Sequence, residues 1–87
     1  MSREKMIQDA HRVQTQKFRA YTVLTLKELK HIIKESNLDE WNRTDVTERY
    51  WDKCKGYLDC MHEMKIITID EWVRLSRTLK KLFIKYY

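Results

Sequence analysis

Glycine and proline are almost missing from this 87-residue chain: Gly56 is the only glycine, and there is no proline. Tight hairpin turns and glycine-rich phosphate loops need backbone conformations that other residues adopt reluctantly, so neither can recur here. Collagen, sandwich and barrel architectures are excluded on the same ground. Cysteine is nearly as scarce. Cys54 and Cys60 fall on what reads as one helix, point to different faces and cannot bridge each other, so there is no disulfide framework. Long apolar runs are absent too. No stretch approaches the roughly 18 residues of a membrane span. The opening Met1-Ser2-Arg3-Glu4-Lys5 leads into no signal-peptide core, so a cytoplasmic protein with reduced thiols and no membrane partner is expected.

What is present is a mixture of 43% hydrophobic and 36% charged residues, with 18 Lys and Arg against 13 Asp and Glu, a net charge of +5. That balance fits a folded chain rather than a disordered tail. A chain of this size buries roughly 65% of its unfolded surface, enough for one small core. The expectation is one all-α domain over residues 1–87, a small helical bundle of three long helices plus a short one.

Three Ser/Thr/Asp-x-x-Glu signatures divide the chain: Thr25-Leu26-Lys27-Glu28, Asp45-Val46-Thr47-Glu48 and Thr68-Ile69-Asp70-Glu71. In each, the first side chain can accept from an orphan helix N–H while the Glu reaches back. A first helix is predicted from about Ser2 to Thr22, with an apolar face of Met6, Ala10, Val13, Ala20, Tyr21 and Leu24, and with Ile7 and Phe18 to one side. Beyond Thr25 the face is Leu26, Leu29, Ile32 and Ile33, roughly 140° further round. That phase jump, beside β-branched Thr22 and Val23, predicts a break near 22–25; one continuous bent helix is the alternative. Residues 37–44 read as a loop. The third helix carries Val46, Tyr50, Cys54, Tyr57, Leu58, Met61 and Met64 at three- and four-residue spacing, with Trp51 at the edge. The last carries Trp72, Leu75, Leu79, Leu82, Phe83 and Tyr86.

Charge follows the same divisions. The outer helices are basic and the middle one acidic, so the molecule should be polarised. On the last helix Arg74, Arg77, Lys81 and Lys85 fall within an arc of roughly 80° away from the apolar face. Lys27, Lys30 and Lys34 form a shorter second row. Several long cations on one face suffice to meet phosphates or an acidic protein surface; a solvated face is the plainer reading. On the third helix Glu48, Asp52, Asp59 and Glu63 share an arc of roughly 60° that could meet a basic partner or a second copy of the chain. Trp41, in the polar connector, either plugs the bundle's end or protrudes as a partner anchor.

Catalysis has little support. His11, His31 and His62 are scattered without metal-ligand spacing. The side chains of Cys60 and His62 diverge on a helix and cannot act as nucleophile and base. No enzyme activity, metal or cofactor is expected.

Residues 56–82 run from Gly56-Tyr57-Leu58-Asp59-Cys60-Met61-His62-Glu63-Met64 into Ile66-Ile67-Thr68-Ile69-Asp70-Glu71-Trp72. This stretch resembles the helical hairpins of small phage and mobile-element proteins, and the SHOCT-type hairpin of bacterial proteins. Those hairpins usually carry glycine just before the Ile-Thr turn, in the left-handed conformation that closes the helix. Here Lys65 stands in that region, which argues against the same tight turn. The resemblance implies a hairpin and a phage-like binding protein that blocks host nucleic-acid or defence machinery, anti-CRISPRs included, within the host cell's cytoplasm. The expected function is therefore non-catalytic docking on a nucleic-acid-handling protein or nucleoprotein, which it modulates or inhibits. The alternatives are a small basic DNA-binding regulator and a self-associating assembly protein, a homodimer among its forms.

Overall fold

A computed structural model describes residues 3–87, apart from the side chain of Ile7. The expected start at Ser2, like Met1, lies outside them. The described residues fold as an all-α bundle of three helices: α1 (Arg3–Ser36), α2 (Glu40–Glu63) and α3 (Ile69–Ile84). The central helix α2 packs against both neighbours. Among the described residues, no helix is long and apolar enough to cross a membrane.

The break expected at residues 22–25 does not occur. Thr15, Thr22 and Thr25 each turn the hydroxyl back to donate to the carbonyl four residues earlier, at 2.6, 2.9 and 2.6 Å. Thr25 therefore bonds within a helix instead of capping one, and the β-branched residues are accommodated without interruption. The first two expected helices are one helix of 34 residues, about 51 Å long. Its inner face is Phe18, Thr22, Thr25 and Leu29, all buried, with Tyr21, Leu26, Ile32 and Ile33 packed beside them. The stripe of Met6, Ala10, Val13, Ala20 and Leu24 is exposed. The phase jump marks two faces of one helix, not two helices.

α1 ends at Asn37, which takes the left-handed conformation (φ 46°) that Asn tolerates better than most residues. α2 begins five residues before the expected cap. Asp39 is its N-cap and accepts from the Asn42 N–H at 2.8 Å, so Trp41 to Thr44 are helical rather than looped. Asp45 lies inside the helix, paired with Arg49 at 3.2 Å.

At the other end of α2 the helix closes despite the lysine. Lys65 adopts φ 61°, its N–H donates to the His62 carbonyl at 3.0 Å, and the Ile66 N–H donates to the Met61 carbonyl at 2.9 Å. That is the Schellman pattern, with a lysine where glycine would be least strained. The tight turn forms with lysine at that position. The third capping signature is realised in full: Thr68 accepts from the Glu71 N–H at 3.2 Å, and Glu71 accepts from the Thr68 N–H at 3.1 Å. Buried Ile67 before the cap and Trp72 after it belong to the same core, the staple that fixes the angle of entry.

The core runs along α2 through Tyr50, Cys54, Leu58 and Met61 and is closed by Ile67, Leu79 and Phe83. Met64, expected in the stripe, is exposed, while Thr47 is fully buried. Thr47 donates to the Arg43 carbonyl at 2.7 Å, which leaves its methyl group to the core. The molecule is elongated, 53 × 20 × 16 Å with a radius of gyration of 15.2 Å, against about 12 Å for a compact chain of this length.

Candidate docking face on α3 and α1

The capping box at Thr68 sets the register of α3. With Leu79 and Phe83 buried and Trp72, Leu75 and Leu82 half-buried, Arg74, Arg77, Lys81 and Lys85 are all left exposed. Arg74, Arg77 and Lys81 line one shallow depression with Asp70, Val73 and Thr78. None of the three has a carboxylate within 4.0 Å among the described residues. Lys85 lies over the Tyr86 ring, 5.9 Å from its centroid.

Thr78 also lines a second groove, between α3 and α1. Its other walls are Phe18, Arg19, Thr22 and Val23 from α1, and Leu75, Leu79 and Leu82 from α3. The α3 stripe thus continues across an apolar floor to Arg19, a residue the sequence reading did not single out. A signal was there: Arg12, Arg19, Lys30 and Lys34 lie on one flank of α1 within an arc of roughly 60°. Lys27, Lys30 and Lys34 are exposed.

A clasp apart from this groove also ties α1 to α3. His11 Nε2 and Glu71 Oε2 are 2.6 Å apart. The bond to His11 is the largest influence on the Glu71 carboxyl; with the Thr68 N–H it outweighs burial and holds the acid below its usual range.

The acidic row of α2 divides. Glu48, Asp52 and Glu63 are exposed. Asp59 instead faces α3, where it accepts from Trp72 Nε1 at 2.7 Å and from Lys55 Nζ at 2.9 Å. Lys55 lies over the Trp72 ring at 3.9 Å. Burial alone would raise the Asp59 carboxyl; the Lys55 and Trp72 bonds override it and leave it lowered. Asp59 is thus a structural link between α2 and α3. Trp41 protrudes from the first turn of α2, 82% exposed.

Two of the three histidines, His11 and His62, line one depression with Glu71. His11 is in the clasp, His62 lies beside Trp72 with ring centroids 5.6 Å apart, and His31 is exposed. Among the described residues, no group of three His, Cys, Asp or Glu side chains is placed to hold a metal ion. Cys54 is buried, which pushes its thiol up, and Cys60 is exposed, with its thiol 3.7 Å from the Met64 sulfur.

Compared with family models, curated proteins and solved structures, the chain matches none.

Proposed function

We propose that this chain is a non-catalytic binding protein that docks through the Arg74–Lys81 face and the adjoining α1 groove onto an acidic surface of a nucleic-acid-handling protein or nucleoprotein. It acts by occluding that surface or by holding its partner in one state. The observation that carries the reading is Thr78, shared by the cationic depression and the apolar groove. Cations set around an apolar floor resemble the polar rim and apolar centre of a protein interface. A phosphate backbone would use the cations and leave the floor without a role. The likeness of residues 56–82 to phage hairpins suggests the kind of partner, host nucleic-acid or defence machinery.

The test is capture from a native-host lysate, with and without nuclease. A partner retained after nuclease treatment supports the reading, provided that Arg19→Glu and Leu82→Asp each weaken its capture. Retention of nucleic acid alone, lost steeply as salt rises, would replace it with direct duplex binding.

A further inference from the structure

α1 has two apolar stripes on opposite sides, and only one meets the bundle. The inner stripe, Phe18 to Ile33, is covered by α2 and α3. On the outer stripe Met6 is 59% exposed, Val13 39% and Leu24 65%, with Ala10 and Ala20 also exposed. A helix that is apolar on both sides is ordinarily buried on both. The molecule's accessible surface, 6772 Å², exceeds the roughly 5,500 Å² typical of a compact chain of this mass.

The outer stripe has heptad order. Met6, Val13 and Ala20 are seven residues apart, and so are Ala10, Lys17 and Leu24, so the two sets alternate as the d and a positions of a coiled coil. We infer that this stripe is the seam of a homodimer, in which α1 of two copies pairs antiparallel about a twofold axis near Thr15. In an antiparallel pair each layer sets an a position beside a d position. One register then satisfies every layer. Met6 meets Leu24 of the partner subunit, Ala10 meets the partner's Ala20, and Val13 meets the partner's Lys17. Large residues face large ones, and small residues face small ones where the backbones approach most closely.

Lys17 decides the direction. A parallel, in-register pair would stack Lys17 on its own copy within the seam, with like charges opposed. The antiparallel pair separates the two lysines and lays each aliphatic stem along Val13 while its ammonium group reaches water. A single lysine at an a position is a known device for fixing register at some cost in stability. The flanking positions nearest the axis are Gln14 and Gln16, so no like charges meet there. A second copy fits this surface better than a lipid bilayer does. Membrane-surface helices present bulky Trp, Phe and Leu, whereas two of the five apolar seam residues here are alanines. Met64, 65% exposed, shares a groove with Met6 and Ala10, so it borders the seam and widens the contact.

The seam is about 27 Å long and a helix about 10 Å wide, on the order of 300 Å² per copy in projection. That is small against the about 800 Å² per partner of standard complexes, so the dimer should be concentration-dependent. Pairing the Gln16 flanks would also turn the basic flanks of both α1 helices to one side. The dimer requires no other partner, and its test involves none.

Sedimentation equilibrium from about 10 µM to about 1 mM spans the range of such an interface. The expected result is a mass rising from one copy toward two. Leu24→Asp should remain at one copy with an unchanged helical spectrum and melt, and Lys17→Leu should dimerise about tenfold more tightly. Direction is read by disulfide cross-linking in a Cys60→Ser background. A10C mixed with A20C should link to each other, and neither should link to itself. A single-copy mass at every concentration, self-linking of A10C, or a Leu24→Asp variant that pairs like wild type would each overturn the inference. So would α1 binding to anionic vesicles in place of pairing.

Discussion

Three single residues show how local strain and local charge are tolerated. Lys65 holds a left-handed φ of 61°, which costs a residue with a Cβ atom about 1–2 kcal/mol. Lys65→Gly should therefore stabilise the fold by about 0.5–1 kcal/mol, offset partly by the freedom glycine adds to the unfolded chain. Urea unfolding would measure it, and a destabilised variant would mean the side chain contributes more than the strain removes. Glu71 and Asp59 both have carboxyls held below their ordinary ranges. A carboxyl lowered on folding adds stability above its unfolded pKa, about 4 for these residues, and loses it as pH falls through the folded value. Glu71→Gln and Asp59→Asn should each flatten the decline in melting temperature below about pH 5, with little change in the profile's shape near neutrality. An acid limb as steep as wild type in both variants would assign the decline to other groups.

At the scale of the helices, the boundaries lie with the residues that actually cap. Asp39→Ala should cost about 1 kcal/mol by removing the N-cap of α2, whereas Asp45→Ala, which breaks only an exposed pair with Arg49, should cost about 0.5 kcal/mol or less. Thermal melts of the two variants would show it, and equal losses would put the helix start back at Asp45. The signature Ser/Thr/Asp-x-x-Glu occurs at Thr25, Asp45 and Thr68, yet only Thr68 caps. The same spacing arises inside a helix, where a Thr hydroxyl is equally satisfied by the carbonyl four residues back. Sequence pattern distinguished helix from strand and placed most of α2 and α3, because their apolar residues recur on one face. It misjudged α1 because periodicity shows that a stripe exists and not which way it faces. Lys65 and Asn37 took left-handed conformations that no glycine announced. The α3 cations were legible from spacing; Arg19 lay in a legible row on α1, but its relation to the α3 cations depends on how α1 lies beside α3.

For the whole molecule, slenderness and charge combine. A core one layer deep along α2 leaves the far sides of α1 and α3 open, and the excess cations are on those sides. Among the described residues Arg74, Arg77 and Lys81 have no ion pair, and Lys85 only borders the Tyr86 ring, so these charges can be reversed without dismantling the core. The decisive measurement is the affinity of the nuclease-resistant partner for wild type and for the variant Arg74→Glu, Arg77→Glu, Lys81→Glu and Lys85→Glu, titrated calorimetrically at physiological salt. The expected result is a loss of about 100-fold or more, roughly 2.7 kcal/mol, with the helical spectrum and melting temperature nearly unchanged. Full affinity in the fourfold variant would contradict the account and leave the α3 stripe as a solvated helix face.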